Sequence, residues 1–286
     1  MLLLLPGAAT AGSAFSDEAL RNMAYQGVVE QPVTLDDGRW QGAPLEPGTA
    51  SRPRVELARN GIVRGDLDGD GRDEAAVLLL ASSGGTGLFH HVAVVATGDD
   101  GPANVATTLL GDRFQIMRFA VEKGRVVVEA VVAGPDDPMC CPTQKLRRTL
   151  VLDGTSLTAR DEPLGSVSLA DLGRSSWRLI RIDGAEIHAV GEAITLELRD
   201  GKLVGSGGCN RYSADVTRNV AQDLSVGPVA ATRRSCPPEV MAQEEAFLPL
   251  LERVDRFGFV MGELVLSYRG TLRAGTLFFA AIDAAP

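Results

Sequence analysis

Gly205-Ser206-Gly207-Gly208-Cys209-Asn210-Arg211-Tyr212, with Ala231-Thr232-Arg233-Arg234-Ser235-Cys236 downstream, is the stretch on which the reading of this chain turns. Three glycines ahead of a Cys-Asn pair describe backbone that turns tightly or passes close to another segment, which a residue without Cβ does at least cost. Asn210 and Tyr212 can hydrogen-bond around such a turn.

Working outward, the flanking sequence reads as short strands separated by turn residues. Trp177 to Ile182, Ile194 to Leu198, Lys202 to Gly205, Leu224 to Val226, Phe257 to Val260, Glu263 to Tyr268 and Leu272 to Ala280 carry the strand pattern. Asp200-Gly201, Met261-Gly262 and the region of Arg269-Gly270 supply the turns. One helix interrupts them. Pro237-Pro238-Glu239 opens it, Val240, Phe247, Leu251 and Val254 share one face, and Pro249 is expected to kink or split it.

The order of these signals resembles the META/HslJ-like family of bacterial envelope proteins. A Trp-x-Leu opening strand (Trp177, Leu179) leads into Gly208-Cys209-Asn210-x-Tyr212; the downstream Cys236, Glu244-x-x-Phe247 and a Gly-turn hairpin follow. The resemblance covers roughly the last 110 residues. It implies a compact, mainly antiparallel β domain with one packed helix, brings no catalytic residue with it, and places Cys209 and Cys236 as a disulfide staple. Closing such a loop stabilises a domain by roughly 3 to 4 kcal/mol on the chain-entropy argument.

Ahead of that domain lies a second β-rich region. Asp17 to Tyr25 has helical character with Ser16 as N-cap. Val28 to Leu35, the turn Asp36-Asp37-Gly38 and Arg39 to Gly42 read as a hairpin, and Val55 to Val63 as another strand. Ala75 to Leu80, Phe89 to Ala96 and Val126 to Val132 are apolar runs without alternation, as in strands covered on both faces, and Leu146 to Leu152 resembles them. These strands follow one another too closely for crossover helices, so antiparallel meanders are expected. The fold class read from the whole chain is mainly β (α+β) in two domains. A leader remnant occupies 1–14, the β-rich domain 15–160, a linker 161–173 where periodicity fades, and the META/HslJ-like domain 174–286.

The first domain contains Gly65-Asp66-Leu67-Asp68-Gly69-Asp70-Gly71-Arg72-Asp73-Glu74. Carboxylates at alternating positions Asp66, Asp68 and Asp70, with Gly71 at the sharp turn, are the first half of a calcium loop, in which hard oxygen ligands converge on one cation. The Arg72 carbonyl and the Glu74 carboxylate complete the expected set. The EF-hand pattern fails, because its closing Glu would fall at Val77 inside an apolar strand. The segment is similar to the Asp-rich calcium loops of FG-GAP-type repeats, where a strand follows directly. A plain solvated acidic turn is the competing reading.

Leu2 to Leu5 followed by the small residues through Ala14 reads as the apolar part and cleavage region of a secretory leader, lacking only its basic segment. Export is expected, and an even count of four cysteines then favours disulfides over metal thiolates. Cys140 and Cys141 are adjacent and are expected to pair with each other. No cysteine stands near the start to carry a lipid, and no later segment reaches membrane-spanning length.

The formal charge of −9 and a pI near 4.9 oppose phosphate backbones, and no basic stripe interleaved with aromatics offsets them, so nucleic acid is excluded as a partner. Hydrolase and phosphate-binding motifs are absent. His90-His91 sit in an apolar strand and His188 in a polar loop, none near a recognisable nucleophile. Trp40 and Trp177 read as core anchors. The functional expectation is a non-catalytic exported envelope protein, structural or stress-linked, with an envelope partner and one calcium ion. The alternative is a periplasmic enzyme or inhibitor acting on peptides or cell-wall material, which calls for a deep pocket beside His90, Glu129 or Asp136.

Overall fold

The computed structural model describes residues 15–44, 46, 48–98, 101–138, 141–188, 190–219, 222–270 and 274–282. The leader reading of residues 1–14 and the Cys140 half of the expected Cys140–Cys141 pair lie outside them. The chain is mainly β, with antiparallel sheets and one long helix packed on a sheet, Pro238–Leu251. It divides into two compact units: residues 1–114, 118–129 and 147–162, and residues 115–117, 130–146 and 163–286.

In the first unit a five-stranded antiparallel meander runs Arg39–Gln41, Arg54–Gly65, Glu74–Ser82, Phe89–Gly98 and Gly101–Asp112, each strand paired with the next. Eight of the nine residues of Glu74–Ser82 are buried. Both of its faces are therefore covered, which is why its sequence lacks the alternation of a half-exposed strand. Leu20, Tyr25, Val33, Leu35, Val55, Val77, Leu79, Ala93 and Val95 belong to one core cluster.

The hairpin expected around Asp36-Asp37-Gly38 is corrected. The turn forms, with Asp37 and Gly38 at φ 44° and 78° and a bridge between Asp36 and Arg39. Its arms diverge, however. Val33–Thr34 pairs with Ala24–Tyr25, whereas Arg39–Gln41 joins the meander. Recruiting Ala24–Tyr25 also ends the first helix at Arg21 rather than Tyr25, and the Tyr25 hydroxyl donates back to the Leu20 carbonyl at 2.7 Å.

A four-stranded sheet orders Ser156–Ser166, Gln144–Asp153, Arg125–Val132 and Gln115–Glu122 as neighbours. The stretch 161–173, read as linker, contains the end of the strand Ser156–Ser166 and most of the 3-10 turn Leu169–Arg174. Most of that strand is exposed and polar, so ladder hydrogen bonds rather than an apolar pattern define it.

The second unit holds a ten-stranded antiparallel sheet. Its main path is Leu224–Val226, Arg211–Arg218, Lys202–Ser206, Thr195–Arg199, Trp177–Ile182, Gly275–Ala281, Glu263–Tyr268 and Val254–Val260. The two ends of the path meet. Asp223 bridges Arg256, and Phe257 N donates to the Gln222 carbonyl at 3.0 Å, so the sheet curls toward closure and buries its edges. Its core includes Trp177, Leu196, Tyr212, Phe247, Phe257 and Phe279. The helix runs unbroken through Pro249, because that residue sits in the last turn, where its missing N–H removes one terminal hydrogen bond. Val254 lies beyond the helix, at the start of the next strand. Among the described residues no helix is long and apolar enough to cross a membrane.

Candidate functional site

The Gly-Cys-Asn-x-Tyr motif is built from the junction of two strands and one helix. Lys202–Ser206 pairs with Arg211–Arg218, and the connection between them folds back on itself through Gly207 N to the Asn210 carbonyl at 2.8 Å. Gly208 takes φ 107°, open to glycine and rarely to other residues. At Gly207 a Cβ would come within 2.6 Å of Glu244 Oε2, so the glycine is what lets the helix carboxylate approach the turn.

Val240, Glu244, Phe247 and Leu251 are the buried residues of the helix, spaced as one stripe. A carboxylate in the middle of such a stripe needs donors. Glu244 receives three: Cys209 N at 3.2 Å, Asn210 N at 2.6 Å and Asn210 Nδ2 at 2.7 Å. The Asn210 side-chain oxygen then accepts from Thr232 Oγ1 at 2.9 Å and Arg234 N at 2.7 Å, tying in the segment that leads to Cys236. Cys209 and Cys236 form a disulfide with Cα atoms 6.0 Å apart. The Tyr212 hydroxyl donates to the Thr195 carbonyl at 2.8 Å, and burial pushes its pKa well above the ordinary tyrosine value, so it remains a neutral donor. Trp177 is 4% exposed and its indole N–H donates to the Leu172 carbonyl at 2.7 Å, which makes it a core anchor. Trp40, by contrast, is only half-buried, on the first strand of the meander.

The Asp-rich loop joins Arg54–Gly65 to Glu74–Ser82 in the first unit. Ligand oxygens of Asp66, Asp68 and Glu74 come within 4.8 Å of one another. Asp66 Oδ1 accepts from Gly69 N at 2.7 Å and Asp68 Oδ1 from Asp70 N at 2.9 Å, while buried Glu74 Oε2 accepts from Leu67 N at 2.8 Å. Burial raises the Glu74 pKa, the Leu67 amide acts against it, and the Asp68 charge adds to the rise. Asp70 is not gathered with these three. Arg72 binds it through backbone N and Nε, both at 2.8 Å, and this guanidinium holds the Asp70 carboxyl below its ordinary range. The expected carboxylate set of four is thus three in the structure, with Asp70 diverted by its own neighbour. The remaining donors are all hard oxygens, the type a calcium or magnesium ion takes, and the charge crowded around buried Glu74 is what a cation would offset.

Glu129, named with the alternative function, is buried and bonded by Arg147 Nη2 at 2.6 Å. Asp136 is exposed. Its neighbour Asp137, which sequence reasoning passed over, closes the following loop by accepting from Gly134 N at 2.8 Å and Thr143 N at 2.7 Å. Those bonds, Gly134 first, hold its pKa low. A hollow of about 280 Å³ lies beside Asp137 and Cys141, with Gln222 and Arg256 on its walls. Glu244 was legible only as part of Glu-x-x-Phe. Its position four residues after Val240 and three before Phe247, inside the apolar stripe, was the signal that it would be buried and bonded.

Among known proteins, the META domain family matches residues 170–278. A structure solved by NMR of a protein from Burkholderia xenovorans is similar at 27% identity, over 39% of this chain and 84% of that one, with a TM-score of 0.33. A second protein structure solved by NMR is similar at 18% identity, over 42% of this chain and 99% of that one, with a TM-score of 0.35. Among curated proteins nothing matches.

Proposed function

We propose that this chain is an exported, non-catalytic envelope protein whose META domain supplies binding surface and whose Asp-rich loop is made rigid by one calcium ion. The observation that carries the reading is the use to which the motif is put. The side-chain polar groups of Asn210 and Tyr212 are spent on framework hydrogen bonds, to Glu244, Thr232, Arg234 and Thr195, so the motif holds a turn together rather than presenting reactive groups. A disulfide at that turn suits an oxidising compartment. The family match does not reach the Asp-rich loop, and its FG-GAP-like reading rests on the loop's own residues.

Asp66, Asp68 and Glu74 would hold the ion, and the Arg72 carbonyl stands near them in sequence. Three carboxylates without a bidentate closing ligand belong with weak extracellular sites, roughly 10⁻⁴ to 10⁻³ M in dissociation constant. Calorimetric titration of the chelator-treated full chain tests this, with thermal melting beside it, because an ion bound only by the folded state raises the melting temperature. Asp68→Ala is expected to abolish both signals and Asp70→Ala to retain them. No heat and no thermal shift at millimolar calcium would reduce the loop to an acidic turn.

A further inference from the structure

A cleft of about 630 Å³ opens on one face of the five-stranded sheet of the first unit. Its floor is a set of cross-strand neighbours. His91 and Leu109 lie in register on two successive strands, and Ala81 lies opposite Phe89. Trp40 is in register with Val55, which pairs with Ala81, and this brings the indole to one side. The segment from Val28 to Val33 forms the facing wall. The sheet thus presents two aromatic rings and a leucine around one imidazole.

Three features distinguish this cleft from an ordinary gap. First, Leu109 is 53% exposed, a large aliphatic side chain standing in water at its edge. Second, His91 is 6% exposed and its Nδ1 is buried with no hydrogen-bond partner. Buried polar atoms are almost always paired, and one left over beside a cavity is an unfilled bonding capacity. Burial also lowers the His91 pKa, with a hydrogen bond to the Phe89 backbone acting against it, and in the neutral ring Nδ1 donates or accepts according to tautomer. Third, Glu30 is the one charged residue among the described residues lining the cleft. An anion would meet no cation there and one carboxylate. The volume falls within the range of small-molecule sites, which are apolar with a few placed polar groups.

We propose that this cleft binds an uncharged, ring-bearing organic molecule with one hydrogen-bonding group, its apolar body against Trp40, Phe89 and Leu109 and its polar group at His91. The site is independent of the Asp-rich loop and of the META domain.

The test uses the full chain and 1-naphthol as probe, with 1-naphthoate and 1-methylnaphthalene as controls, followed by calorimetry or fluorescence. 1-Naphthol is expected to bind at least tenfold more tightly than either control. Leu109→Glu, at an exposed position, is expected to weaken it about tenfold, the loss of most of one leucine contact. His91→Leu is expected to bring 1-naphthol down to the level of 1-methylnaphthalene. Should that buried substitution fail to fold, nuclear Overhauser contacts from the naphthol ring to the Leu109 methyls of the unaltered protein give the same decision. Equal binding of naphthol and naphthoate, binding indifferent to Leu109→Glu, or contacts away from Leu109 would overturn the proposal.

Discussion

Asn210 grips the carboxylate of Glu244 with two nitrogens, its backbone N at 2.6 Å and its side-chain Nδ2 at 2.7 Å. The grip connects the glycine turn to the buried stripe of the long helix. Cys209 N completes it at 3.2 Å. Fold and motif therefore meet in one hydrogen-bond cluster, in which the acceptor belongs to the helix and the donors to the turn.

Removing that acceptor strands buried donors, each at a cost of about 1–3 kcal/mol. Glu244→Ala is expected to lower unfolding stability by about 3 kcal/mol or more, measured by denaturant titration. Gly207→Ala should act on the same cluster from the opposite side, because its new Cβ displaces the carboxylate. The two losses should be strongly non-additive when combined, since each disables one interaction. Simple addition would show that the cluster does not act as a unit.

Arg181 and Glu263 form a buried ion pair across the intervening strand Gly275–Ala281 of the second unit, with the guanidinium 4.4 Å over the ring of Phe278 on that strand. Arg181 is 8% exposed and Glu263 5%. Breaking such a pair leaves a charge without compensation and costs about 3–5 kcal/mol, whereas replacing both partners by apolar groups is often neutral. Arg181→Met alone is expected to destabilise by that amount, and Arg181→Met with Glu263→Leu to recover most of it. Denaturation midpoints of the three proteins decide the matter; a double variant no better than the single would count against the reading.

His90 points away from the cleft face, its ring 6.2 Å from that of Phe114, and burial takes its pKa from the ordinary 6.5 down to about 4. The unfolded chain therefore picks up this proton near pH 6.5 and the native protein only near pH 4. Above pH 6.5 neither state carries it and the stability is fully present. Between pH 6.5 and 4 the unfolded state binds more protons, and stability falls as pH falls, by on the order of 3 kcal/mol from this group. His90→Leu should flatten the decline in melting temperature over that window. An unchanged slope would place the acid sensitivity elsewhere.

Much of this fold was legible because burial writes itself into sequence. Glu74–Ser82 and Phe89–Gly98 are apolar runs covered on both faces, and Trp177–Ile182 and Glu263–Tyr268 were placed to the residue. The strands that escaped notice are those whose identity rests on pairing. Gly101–Asp112 begins with Gly and Pro and carries three buried or half-buried threonine and asparagine positions in its ladder, a composition that reads as loop. Ser156–Ser166 is exposed nearly throughout and has no periodicity to find. Arg211–Arg218 does alternate, with Tyr212, Ala214 and Val216 buried, but the motif in front of it drew the reading toward a turn. At the Asp-rich loop, alternation correctly brought Asp66 and Asp68 together with Glu74. It gave no hint that the Arg72 side chain would fold back on Asp70, because spacing counts carboxylates and not the cations that compete for them.

The covalent tie between Cys209 and Cys236 encloses a segment that is itself open to attack. Arg211, Arg218, Arg233 and Arg234 are exposed within it, four sites for a trypsin-like protease. A single cut at any of them leaves the two pieces joined through sulfur, the helix still attached to the turn that holds Glu244. Nicked protein would then migrate as one species until a reductant is added, and damage in a protease-rich environment would accumulate without shedding a fragment.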